Sequence, residues 1–140
     1  MKTKFSSVVK IKKQVVQKLE KDVQKINFSI TKLNKKIENL QNILFSLTLP
    51  ENGNFSLFSQ IKSQQHLLRG EMEKLKNQII VLENRKNELM NELKKANIEY
   101  EKMKYLENEE IKKILKKAKL KEAKEMDEIA ILLRKKNESK

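Results

Sequence analysis

Apolar residues recur along the first third of the chain at alternating spacings of three and four. Val9, Val16, Val23, Ile30, Ile37 and Leu44 share one position of a seven-residue repeat. Leu19, Ile26, Leu33, Leu40 and Leu47 share a second position three residues on, where Lys12 is the polar member. Such a pattern makes a narrow stripe along one side of a helix, and the stripe needs a partner helix to cover it. A first helix is expected from about residue 5 to 48, with Thr3 or Ser6 as its N-cap. Leu49-Pro50-Glu51-Asn52-Gly53-Asn54 then gathers the breakers into one cluster. Proline disfavours helix in the residue before it and glycine accepts positive φ, so a turn is expected over 49–56. Ser56 or Asn54 is available to cap the next helix.

A second helix, from about 57 to 137, resumes the repeat. Phe58, Ile61, Leu68, Met72, Leu75, Ile79, Leu82, Leu89, Leu93, Ala96, Tyr100 and Met103 carry the stripe, with Gln65 and Lys86 as polar entries. Gly70 falls on the outward side, where an isolated glycine is tolerated. If the breaker cluster closes an antiparallel hairpin, Leu47 meets Phe58, Leu44 meets Ile61, Ile37 meets Leu68, Ile30 meets Leu75 and Val16 meets Leu89. Periodicity permits a slip of one heptad, which the short turn disfavours. On the unslipped register Lys12, Gln65 and Lys86 face Leu93, Leu40 and Leu19, each long enough to carry its polar end out of the seam. Val or Ile at the first core position with Leu at the second also suits a parallel dimer. The hairpin is preferred, with the chain a monomer in isolation, because a short tether raises the effective concentration to the millimolar range.

Regular alternation stops after Met103, where Glu107 and Glu110 fall in the next core slots. The chain stays helix-forming, and Ile111, Ile114, Leu115, Ala118, Met126, Ile129 and Leu133 form a looser stripe without a counterpart on the first helix. The expected fold is therefore all-α: one coiled-coil domain over 1–140, with residues 104–137 overhanging the shorter arm as a docking surface.

Composition changes this picture little. Charged residues make up 36% and aromatic residues 5%, with two glycines and one proline, the profile of long helices rather than of a packed globule. Net charge does add something, because the excess of +13 is uneven. Residues 1–47 hold eleven basic and three acidic groups (+8), 48–103 hold nine and eight (+1), and 104–140 hold twelve and eight (+4). Such a balance favours an acidic protein surface, nucleic acid or an anionic membrane. The longest apolar run, Ile129 to Leu133, is far short of the roughly 20 residues of a membrane span. The basic start leads into no apolar stretch long enough for a signal peptide, so a cytosolic protein is expected. The Asn-x-Ser triplets at Asn27, Asn54 and Asn137 are then chance matches.

The candidate chemistry is sparse. There is no cysteine, and His66 is the one histidine, so neither thiolate nor clustered imidazole ligands can form. Two glycines cannot build a phosphate-cradling loop. Carboxylate pairs such as Glu71/Glu73 and Glu109/Glu110 lie on solvated faces, without the burial that would tune them for acid catalysis. No enzyme activity, cofactor, metal or small-molecule ligand is expected. The lysine runs at Lys10–Lys25 and Lys112–Lys121 would give salt-sensitive, sequence-blind binding to nucleic acid. Three arginines and no interleaved aromatics argue against specific readout. Leu67, Ile80 and Val81 lie off the seam of the second helix, and Leu67 and Val81 share a face that could form a small partner patch.

In order and spacing, several segments resemble the FliJ family of bacterial flagellar type III export. They are the basic start Phe5-Ser-Ser-Val-Val-Lys-Ile-Lys-Lys, the aromatic opening Phe55-Ser-Leu-Phe58, Tyr100-Glu-Lys-Met-Lys-Tyr-Leu106, and Lys121-Glu-Ala-Lys-Glu-Met-Asp-Glu-Ile-Ala130. The resemblance implies an antiparallel coiled coil similar to the stalk of rotary ATPases. It is expected in the cytoplasm, and peripheral at the cytoplasmic face of the inner membrane once assembled. Its implied partners are the hexameric export ATPase (FliI-like), the export gate protein (FlhA-like) and export chaperones. By the same resemblance Lys10, Lys12, Lys13, Met126, Asp127, Glu128 and Ala130 are the expected ring-facing residues. The gate contact is expected on the outer face of the second helix at Leu67. An injectisome stalk protein, a generic structural coiled coil and a non-specific nucleic-acid binder remain the other readings. The chain is richer in lysine and poorer in arginine than the family pattern, and arginine forks hold carboxylates more rigidly.

Overall fold

The structure, a computed structural model, describes residues 2–49, 53 and 55–138. Two helices account for nearly all of them: α1, Ser6–Ser46, and α2, Phe55–Glu138. No strand occurs among the described residues. The fold is all-α, and the second helix packs against the first and is the longer of the two.

The sequence accounts for both ends of α1. Thr3 Oγ1 accepts the Phe5 N–H (3.1 Å), and the Ser6 hydroxyl accepts the Thr3 N–H in return (2.8 Å). This reciprocal exchange satisfies backbone donors that the first turn leaves without helical partners, in the manner of a capping box. At the other end the Ser46 hydroxyl donates to the Ile43 carbonyl (2.6 Å) and the Leu47 N–H to the Leu44 carbonyl (3.2 Å). Helix α2 starts at Phe55, so Phe55 and Ser56 belong to it rather than to the turn. Pro50, Glu51, Asn52 and Asn54 of the expected turn, with Asn54 as a cap, lie outside the described residues.

The chain divides into two compact units. One comprises residues 17–95, in which the greater part of α1 packs on the first half of α2. Leu19, Val23, Ile26, Ile30, Leu33, Ile37 and Leu40 line the α1 side and are half-buried. Leu68, Leu75 and Leu82 on α2 are half-buried too, while Met72, Ile79 and Leu89 are buried. Intermediate burial is what a two-helix seam provides, since each side chain is covered by one partner only. Here the helices run antiparallel: Leu40 shares a groove with Glu71, Lys74 and Leu75, and Leu33 shares one further along with Val81 and Leu82.

That pairing corrects the expected register. Leu47 lies opposite Gln65, not Phe58, and its carbonyl accepts a hydrogen bond from Gln65 Nε2 at 2.9 Å. Leu40, expected opposite Gln65, sits instead beside Leu75, and Leu33 beside Leu82. The slip is one heptad, and the seam stays apolar because its pattern repeats at that interval. The slipped register also gains a polar contact. In the slipped register the Gln65 amide meets a carbonyl at the end of α1 that has no helical donor, whereas Phe58 has nothing to donate. Phe58 is left 39% exposed, out of the seam.

The other unit comprises residues 1–16 and 96–140. Val16 is its buried residue, and Thr3, Phe5, Ser6, Val9 and Lys12 on α1 are half-buried. On α2, Ala96, Tyr100, Met103, Glu107, Glu109, Glu110 and Ile111 are half-buried. Cover therefore runs to Ile111, about two turns past the expected limit at Met103. The stretch exposed at every residue is 112–138 rather than 104–137.

Candidate partner-binding surfaces

A seam of half-buried aliphatic residues encloses no site, so any recognition must be carried by side chains facing outwards. Among the described residues no cluster of His, Asp or Glu is arranged to hold a metal ion. No helix of the described residues is long and apolar enough to cross a membrane.

The start of α1 and the end of α2 belong to the unit that ends in the exposed stretch. Lys10 and Lys13 are exposed on α1, and Lys12, at a seam position, is half-buried. Met126, Asp127, Glu128 and Ala130 are all exposed, with 65% of Met126 open to solvent. Helical rise places Met126 about 22 Å beyond Ile111, the last covered residue of α2. The two candidate groups thus lie on separate stretches and form no joint patch. Between them Lys112, Lys113, Lys116, Lys117, Lys119 and Lys121 cover about three exposed turns of helix with like charge. Lys112 makes one short contact there, Nζ to Glu109 Oε1 at 3.5 Å, on the same helix. An exposed pair of this kind contributes little to stability.

On the unit of residues 17–95, Leu67 is 69% exposed beside a shallow dip bordered by His66, Gly70, Glu71 and Lys74. The dip exists because Gly70 has no side chain, and a Cβ there would meet nothing within 4 Å. Val81, also facing outwards, is 66% exposed and adjoins the groove between Leu33 and Leu82.

Phe28 and Ile11 are among the exposed apolar residues not singled out in the sequence. Phe28 is 66% exposed, in a shallow hollow with Lys21, Gln24, Lys25 and Ser29, and Lys32 Nζ sits 5.6 Å from its ring centre. Ile11 is 57% exposed and extends the edge formed by Val8 and Val15. An aromatic residue at the outermost heptad position was the available signal for the first. A second apolar line at spacings of three and four was the signal for the other.

These features define a class: a two-helix coiled coil whose recognition groups lie on exposed helix faces. The family model described as "Flagellar FliJ protein" matches residues 1–139. The chain belongs to that family, and it is a component of flagellar type III protein export. No curated protein and no solved structure gives a significant match to the chain.

Proposed function

We propose that the chain is a non-catalytic coupling element of the flagellar export apparatus. It binds the hexameric export ATPase through the exposed end of α2 and the basic start of α1. Lys10, Lys12, Lys13, Met126, Asp127, Glu128 and Ala130 are the residues in contact. The outer face of α2 at Leu67 meets the export gate protein, and export chaperones dock on other exposed helix surface. It works in the cytoplasm, held at the inner face of the membrane by its partners.

The observation that supports this reading is the run of exposed residues over 112–138 in a member of a flagellar export family. Leu120, Met126, Ile129, Leu132 and Leu133 in that run are each more than half exposed. A helix that keeps so many aliphatic side chains in water gains free energy when another surface covers them. Lysines flanking those side chains favour a surface with acidic groups.

The test is the ATPase activity of the cognate hexamer with and without the chain. Addition of the full chain is expected to raise turnover, and a chain truncated after Ile111 is expected to lose the effect. Stimulation that survives the truncation removes the end of α2 from that role.

A further inference from the structure

The exposed end of α2 carries a face whose spacing has a symmetry of its own. Ile111, Leu115, Ala118, Glu122, Met126, Ile129 and Leu133 follow one another at intervals of four, three, four, four, three and four. At about 100° per residue all seven fall within about 40° of the direction of Glu122. Ile111, Glu122 and Leu133 stand 11 residues apart, as do Leu115 and Met126, and Ala118 and Ile129. An eleven-residue repeat keeps a face nearly straight along the helix, so the whole line can meet one partner. Past Ile111, which is half-buried, the face is open: Leu115 is 48% exposed, Met126 65%, Ile129 54% and Leu133 58%.

Read in either direction from Glu122, the intervals are the same. An identical helix laid antiparallel about an axis through Glu122 therefore meets apolar with apolar at each level: Ile111 with Leu133, Leu115 with Ile129, and Ala118 with Met126. The charges follow the same two-fold. Six lysines and no acidic residue stand over 112–121 before the centre, while Glu125, Asp127 and Glu128, with Lys124, stand over 123–133 after it. Antiparallel pairing sets Lys121 against Glu125 of the second copy on one edge, with Ile114 beside Leu132. A parallel pair would stack lysine on lysine at the same levels, which like-charge repulsion disfavours.

We propose that residues 111–133 of α2 pair antiparallel with the same residues of a second copy, about a two-fold axis at Glu122. A self-complementary patch of this kind closes as a dimer, since each copy supplies both halves of the contact. Glu122 meets its own copy on the axis, and that repulsion keeps the association weak and reversible. Pairing covers Met126 and the segment around it, so a dimer holds this face away from any other partner. The inference rests on spacing and charge alone and does not require the ATPase reading.

The native chain has no cysteine, so single cysteines report the geometry directly. In the full chain under mild oxidation, Glu122→Cys is expected to cross-link to itself. Leu115→Cys mixed with Ile129→Cys is expected to cross-link as a mixed pair, while Leu115→Cys alone does not. Self-cross-linking of Leu115→Cys without the mixed product shows a parallel pair and overturns the proposal. Sedimentation equilibrium gives the strength. Glu122→Leu is expected to tighten the dimer by at least about tenfold. Lys121→Glu is expected to loosen it about tenfold, since the two-fold repeats the pair, and adding Glu125→Lys to restore it. Each substituted residue is exposed, so circular dichroism should show unchanged helix content. A Glu122→Leu chain that sediments as a monomer at about 0.5 mM, above the micromolar range of ordinary contacts, rules the pairing out.

Discussion

At the scale of single residues, the seam depends on a few well-covered side chains and one polar contact. Leu89 is the most buried residue described, at 3% exposure, and Leu67 on the outer face is 69% exposed. Leu89→Ala is expected to cost about 2–3 kcal/mol, towards the low end for core leucines because one neighbouring helix can partly close the gap. Leu67→Ala is expected to stay within about 0.5 kcal/mol of the parent. Urea unfolding followed by circular dichroism compares them, and equal losses would contradict the burial. Gln65 is a different case, since its amide donates to the Leu47 carbonyl. Gln65→Glu keeps the size but removes the donor and brings a carboxylate beside a carbonyl oxygen. A loss of about 1–2 kcal/mol is expected at neutral pH. If Gln65→Glu unfolds at the same urea concentration as the parent, the hydrogen bond has no energetic role.

The elements raise the matter of register. Both helices were legible in the sequence, because alternating spacings of three and four fix which side of each helix faces the other. Thr3 and Ser6 as the opening cap were legible too, and the structure uses both, one accepting from the other's side of the turn. Which heptad meets which was not legible, since a pattern that repeats every seven residues matches itself again after a slip of seven. Lys36 and Lys74 border one groove within residues 17–95. Spin labels on Lys36 and Lys74 are therefore expected to lie closer together than labels on Lys36 and Leu67, by several ångströms. The opposite order would restore the unslipped pairing. Gly70 allows a second check on α2. It is exposed in mid-helix with open space where a Cβ would go, so Gly70→Ala is expected to stabilise by about 0.5–1 kcal/mol. A destabilised Gly70→Ala chain would mean that the dip beside Leu67 is occupied or that the helix bends there.

For the molecule as a whole, most seam residues among those described are only half-buried, and the candidate recognition groups lie on exposed faces. A net charge of +13 on a chain with few aromatic residues suits contacts that form quickly and weaken as salt rises. Membership of the flagellar FliJ family sets those contacts in protein export. Because residues 112–138 are exposed throughout, the chain truncated after Ile111 is expected to keep the urea midpoint of the full chain even as it loses ATPase stimulation. A large drop in the midpoint would show that the segment supports the fold and not only its partners. The candidate contact residues were only partly legible. Resemblance could point to Met126–Ala130 as a segment, and the heptad already set Lys12 at the seam, where it is half-buried, apart from its exposed neighbours Lys10 and Lys13. The exposed Phe28 hollow went unseen because the seam pattern is read from core positions, while its signal was an aromatic at an outer one.

By itself, the sequence determined the two helices, most residues of each seam (Phe58 excepted) and the place where the chain must leave helix. These come from local periodicity, capping and the backbone limits of proline and glycine, which act within a few residues of chain. Tertiary structure alone decided that Leu47 lies by Gln65 and that cover on α2 lasts to Ile111. Several alignments bury the same apolar stripes almost equally well, so the pairing shows only in long-range contacts, such as the Gln65 amide on the Leu47 carbonyl at the end of the other helix.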